Sequence, residues 1–210
     1  MWHMYGTEFL TLVVIHFLAV ILPGPDFAIT VQQSVRYGKK IGCWVALGIG
    51  MGISIHVFYT LVGIGTIMQH STWLMSFIRC CGAAYLIYLG WKLLRSTGQF
   101  HLDTSQKQGL QPSMRKAFMT GFMTNALNPK ATIFFLAIFT TIVQTTTPIQ
   151  VQIFYGLWMC VVNALWFMLV SIFFAQPFVR QRFLSFGKYF EWAMGIILIA
   201  FALRLLLTTL

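Results

Sequence analysis

The chain has 210 residues, 58% hydrophobic and 9% charged, with a mean hydropathy of +0.78 and a net charge of +10. A soluble domain of this length has no core large enough to bury so much apolar surface, so composition excludes an ordinary water-soluble fold and points to one compact domain, residues 1–210, in lipid. The basic excess is uninformative until its placement along the chain is known.

In chain order, apolar runs occupy residues 7–35, 41–68, 73–94, 117–143, 149–175 and 190–210. Each can cross a hydrocarbon core of about 30 Å, which takes roughly 20 helical residues. Barrel strands are half as long and alternate apolar with polar residues, whereas these runs are apolar all round. The fold class read from the sequence is therefore all-α and integral to the membrane, with six transmembrane helices. The first run has no basic residue before it and no small-x-small pattern after it, so it is expected to be a retained span and not a cleaved leader.

Arg36, Lys39 and Lys40 separate the first two runs, Lys92, Arg95, Lys107, Arg115 and Lys116 the third and fourth, and Arg180, Arg182 and Lys188 the last two. These are 11 of the 14 Lys and Arg residues, while connections 69–72 and 144–148 and the head 1–6 carry none. Basic loops stay in the cytoplasm, so both termini are expected outside, in a bacterial-type inner membrane. On this reading the positive charge is a topology signal; its partners are anionic lipid headgroups, with no nucleic acid.

The one long connection, 96–116, is rich in Gln, Ser, Thr and Gly and reads as a cytoplasmic linker between two halves, about 7–95 and 117–210. Three spans is an odd number, so the second half is inverted relative to the first. Inverted repeats place their substrate sites where broken helices meet near the midplane, which directs attention to helices 1 and 4.

Both carry a break. In the first, Pro23-Gly24-Pro25-Asp26 interrupts the apolar run; in the fourth, Asn128-Pro129-Lys130 does, with Asn125 one turn earlier. The prolines remove backbone donors, and the glycine permits an excursion. Proline is favoured at the first position of a helix, so a second half-helix is expected to start at Pro25 and at Pro129, capped by Gly24 and by Asn128. Asp26 and Lys130 then occupy equivalent positions. Two readings stay open. Either they form a structural ion pair at the seam between the halves, or they bracket a zwitterion, Asp26 facing an ammonium group while Lys130 and the free amides of a half-helix face a carboxylate. Asp26 is also the candidate carrier of a coupling proton.

The ordered set Pro23-Gly24-Pro25-Asp26, Gly48, Gly82-x-x-Tyr85-Leu86-x-x-x-Gly90 ending in Leu94-Arg95, and Gly121-x-x-x-Asn125-x-x-Asn128-Pro129-Lys130 resembles the LysE/RhtB family of amino-acid exporters, and within it the threonine and homoserine branch. The resemblance implies proton-driven export of amino acids or close derivatives from the cytoplasm. The site residues it supports are Pro23, Gly24, Pro25, Asp26, Asn125, Asn128, Pro129 and Lys130. Leu22 stands where the family has a small residue.

Other polar positions have two readings each. His16, and His56 with Tyr59, fit a proton relay or histidines satisfied by a neighbouring carbonyl. Gln32 and Gln33 are placed to line an inner vestibule, and Asn163 and Trp166 to cap the cavity or simply to pack. Arg79 and Arg204 are expected to snorkel to the interface, with Glu8 partnering one of them. Small residues at every fourth position, Gly42, Ala46, Gly50 and Ser54 in the second run and Gly156, Cys160 and Ala164 in the fifth, allow close helix approach.

The four cysteines have no metal spacing and neither broken helix contains one; they read as small apolar residues. No catalytic set, resident metal or cofactor is expected, and a homo-oligomer is compatible with the sequence. The competing class is a metal-ion exporter of related architecture, which ordinarily gathers His, Asp or Cys ligands, whereas the five histidines here are scattered.

Overall fold

The computed structural model of the protein describes residues 2–70, 72–96, 110–144 and 146–209. Among them are eight helices: α1 (Trp2–Ile21), α2 (Pro25–Tyr37), α3 (Lys39–His70), α4 (Thr72–Leu94), α5 (Met114–Ala126), α6 (Pro129–Ile142), α7 (Ile149–Phe174) and α8 (Pro177–Thr209). The first apolar run is α1 with α2, and the fourth is α5 with α6.

Lys39–Gly63 and Ile149–Phe174 are single helices long and apolar enough to cross a membrane, and Tyr5–Ile21 with Pro25–Tyr37, bent by 53°, has together the length and apolarity of a third, as a broken span or a re-entrant loop. The sixth run differs in extent. Instead of a basic loop followed by a span from about 190, α8 continues unbroken from Pro177, because Pro177 suits a helix start and no strong breaker follows it. Most of the 96–116 linker, and the side chains of Arg79 and Arg204, lie outside the described residues.

Helix α3 runs through the middle of the molecule, against α2, α5 and α7, while α4 packs on α8 and α6. Glycines make these approaches possible. A Cβ at Gly48 would collide with the Phe118 carbonyl, and one at Gly121 with the Val45 carbonyl, so α3 and α5 meet backbone to backbone. Gly50 faces Ala164 and the Cys160 carbonyl, Gly156 faces Val57, and the small-residue stripes of α3 and α7 thus form one seam. Lipid tails are as apolar as leucine, so close packing of this kind, rather than water exclusion, drives association. Across the seam Ser34 and Ser171 hydroxyls are 2.9 Å apart, and Ser171 donates to the Lys39 carbonyl at 3.0 Å. The turn from α2 into α3 needs a left-handed residue, supplied by Gly38 at φ +86°.

The opposite end of the molecule is tied differently. Glu8, buried on α1, accepts hydrogen bonds from the Gln144 amide at 3.3 Å and the Thr147 hydroxyl at 2.9 Å, both in the connection from α6 to α7. Glu8 thus has partners in this loop; the arginine side chains expected to partner it lie outside the described residues. Around it Phe9 packs against the rings of Phe154, Tyr155 and Trp158.

Candidate functional site

The first break is built by residues that cannot continue a helix. Pro23 and Pro25 have no amide hydrogen, so α1 ends at Ile21 and α2 restarts with Pro25 in its first position, after an extended Gly24 that offers no side-chain cap. This leaves Asp26 in the first turn of α2, where the amide end of the helix dipole favours an anion.

The second break is better satisfied. Asn128 caps α6 through its Oδ1, which accepts from the Lys130 amide at 3.0 Å, a contact worth about 1 kcal/mol in typical helices. The Asn125 carbonyl at the frayed end of α5 accepts from the Asn128 amide at 2.8 Å and from His56 Nε2 at 2.9 Å. A carbonyl only accepts, so His56 Nε2 carries the proton and its Nδ1 accepts from the Tyr59 hydroxyl at 2.8 Å. Both ring nitrogens are used, and His56 is the prop that keeps the broken end of α5 open inside the protein.

The two breaks meet. Asp26 Oδ2 accepts from the Asn125 side-chain amide at 2.9 Å and from that of Asn128 at 3.5 Å. Its hydrogen bonds thus come from the asparagines of the other break, 99 and 102 residues away, and not from Lys130. The Lys130 ammonium instead lies over Gly24, 3.3 Å from where a Cβ would be. Asp26 Oδ1 and Asn125 Oδ1 are buried with no hydrogen-bond partner.

These orphaned oxygens border a cavity of about 50 Å³. Six of the eight residues singled out in the sequence wall it, Gly24, Pro25, Asp26, Asn125, Asn128 and Lys130; Pro23 and Pro129 do not, and act by ending and starting helices. His16 and Asn163 also line it, with Phe134 and Phe135 as apolar walls. Gln32, Gln33 and Trp166 are not among the walls; Trp166 borders an apolar groove between the first break and α7. Gly52, unremarked in the sequence, makes the room: a Cβ there would lie 2.8 Å from Asn125 Oδ1. Its signal was a small residue two positions out of step with the α3 stripe.

Chemically the cavity offers acceptors at Asp26 and Asn125 and a cation at Lys130. A compact zwitterion suits that combination, its ammonium donating to the two orphaned oxygens and its carboxylate facing Lys130. The volume is far below the roughly 300–1,000 Å³ of ordinary ligand pockets, so the site must widen to take a solute.

Comparison with known proteins places this geometry in context. The chain is 27% identical over 205 residues to the threonine efflux protein of Escherichia coli (strain K12), covering 95% of this chain and 98% of that protein. It is 30% identical over 196 residues to the uncharacterized membrane protein YrhP of Bacillus subtilis (strain 168), covering 89% and 92% respectively. A threonine efflux protein of Salmonella typhi is 26% identical over 210 residues, covering 95% of this chain and 98% of that protein. No solved structure matches. The family model for the LysE type translocator matches residues 17–209, nearly the whole chain, and the protein is accordingly a multi-pass membrane protein belonging to the LysE type translocator family.

Proposed function

We propose that this protein is a secondary active exporter that moves amino acids or close derivatives of the threonine and homoserine kind out of the cytoplasm, driven by protons. The observation that carries the reading is the meeting of two intramembrane helix breaks around Asp26, Asn125 and Lys130 with two carboxylate and amide oxygens left unpartnered. Unsatisfied polar groups are costly in a membrane interior, so a site that keeps them is built for a polar visitor. The naming of relatives as threonine efflux proteins favours a small amino acid as that visitor.

The architecture that goes with this function is six spans in two inverted halves, both termini outside the inner membrane. In support, α3 packs on α7 and α4 on α8, each span beside its counterpart in the other half, an arrangement that a two-fold relation allows. The basic connections also gather at one end: Gln111, just before α5, donates to the Tyr37 carbonyl at 3.5 Å, and Ser171 near the end of α7 reaches Lys39. That end is the cytoplasmic one under the positive-inside rule. Asp26 carries the coupling proton on this reading, since among the described residues lining the cavity it is the one that brings a carboxylate. The one cavity formed by both breaks serves the solute from alternate sides, opening first inward and then outward.

Cells expressing the protein are expected to resist toxic amino-acid analogues and excess homoserine, and to lose that resistance when the proton gradient is collapsed. Unchanged sensitivity across such a panel, with the protein confirmed in the membrane, counts against amino-acid export. A reporter fused at residue 210 is expected to be active only in its periplasmic form; cytoplasmic activity removes the proposed orientation.

A further inference from the structure

The cavity has a second polar end that the export reading leaves unused. His16 on α1 is fully buried, and its Nε2 lies 2.9 Å from the Asn163 side-chain nitrogen on α7. Ile21, the last residue of α1, is five residues further on, so His16 sits about 7.5 Å along the helix axis from the break. The Asn163 nitrogen also donates to the Met159 carbonyl at 3.4 Å. Because that carbonyl only accepts, the amide orientation is fixed, and the same nitrogen donates its other hydrogen to His16 Nε2. The ring proton of neutral His16 is therefore on Nδ1.

That Nδ1–H is buried and has no partner. The imidazole packs against the rings of Phe134, Phe135 and Trp158, with centroids 6.4, 6.2 and 5.6 Å away, and none of these is an ordinary acceptor. A donor held in one tautomer by a dedicated amide, yet given nothing to bond, is a recognition element awaiting an acceptor from outside.

We propose that His16, positioned by Asn163, is the side-chain subsite of the transport site, donating through Nδ1–H to the hydroxyl oxygen of a small amino acid whose ammonium is held at Asp26. This rests on the export reading above. A hydroxyl fits better than a carboxylate, because a second anion at this end meets aromatic rings and a neutral imidazole and finds no counter-charge. A short side chain fits better than a long one, because the rings of Phe134, Phe135 and Trp158 crowd the His16 imidazole.

Threonine and valine are the discriminating pair, since they share a shape and differ by a hydroxyl in place of a methyl. In liposomes containing the purified protein, counterflow of labelled threonine is expected to exceed that of valine by about tenfold or more, as for sites that bond a substrate hydroxyl. His16→Leu and Asn163→Leu are expected to collapse that ratio toward one by slowing threonine while leaving or raising valine. Variants that transport with the wild-type ratio overturn the proposal and make His16 a structural or water-bonded residue. Should the variants not fold, the wild type alone still tests the subsite: equal inhibition of threonine counterflow by unlabelled valine and unlabelled threonine also overturns it. Wild-type protein that moves no amino acid removes the export reading, and the subsite with it, and is thereby distinguished from loss of the subsite alone.

Discussion

Asp26→Asn is expected to reduce export to the background of cells lacking the protein, while the variant reaches the membrane in normal amount. Oδ2 of Asp26 is bonded by two asparagine amides and Oδ1 is open to the cavity. An asparagine keeps the shape but removes the charge that an ammonium would meet and the group that would carry a proton. Loss of one member of a buried, hydrogen-bonded charge contact costs about 2–5 kcal/mol, so binding alone should fall by roughly thirtyfold at the low end of that range. Lys130→Met tests the remaining ambiguity. If the two residues merely cancel each other's charge, Asp26→Asn with Lys130→Met regains what either single change loses. The expected result is an inactive double variant, because the hydrogen bonds of Asp26 come from Asn125 and Asn128, so that neutralising Lys130 restores none of its contacts. Full export by a well-expressed Asp26→Asn variant would falsify a direct role.

The second large effect concerns assembly. Gly121→Val is expected to abolish the yield of monodisperse protein, and Gly121→Ala to lower its thermal midpoint, because any Cβ at this position meets the Val45 carbonyl of α3. Overpacking a tight contact costs about 1–3 kcal/mol even where side chains can yield, and a helix backbone yields less. Gly48→Ala, on the other face of the same seam against the Phe118 carbonyl, is expected to behave alike, and the two costs should not add, since one displacement of α5 relieves both. Gly63→Ala is the control. It lies in α3, where an added Cβ would meet nothing within 4 Å among the described residues, so alanine is expected to be neutral or mildly stabilising there. Size-exclusion profiles and melting curves of the four variants check the pattern; equal effects at Gly63 and Gly121 would sink the packing argument.

The contrast between what the sequence revealed and what it concealed follows from the range of the interactions involved. The two breaks were legible because proline acts on its own backbone: the starts of α2 at Pro25 and α6 at Pro129, and the cap at Asn128, are local events. The close seam of α3 and α7 was legible because small residues repeat at helical spacing. The partners of Asp26 were not, since opposite charges at equivalent positions of the two breaks suggest a pair until packing shows Asn125 hydrogen-bonded to the carboxylate. Glu8 illustrates the same limit, because its donors lie 136 and 139 residues away in a loop with no charge to advertise them. The length of α8 escaped a hydropathy window, which registers where a chain becomes polar and is blind to whether it stays helical. His16 and Asn163 each looked ordinary alone; only their contact across 147 residues fixes a tautomer and leaves a donor free.

The glycine seams have a mechanical consequence. A carbonyl seated in the notch of a missing side chain cannot slide by small steps, so α3 and α5 are keyed together through Gly48 and Gly121, and α3 and α7 likewise through Gly50, which faces the Cys160 carbonyl. Helix α1 is held in another way, by the rings of Phe9, Phe17 and His16 and by the carboxylate of Glu8. Rings turn about their side-chain bonds and hydrogen bonds exchange, whereas backbone in a notch does neither. The molecule thus divides into a keyed chassis and a bearing-mounted arm, and the cavity beside Asp26 lies where the arm meets the chassis.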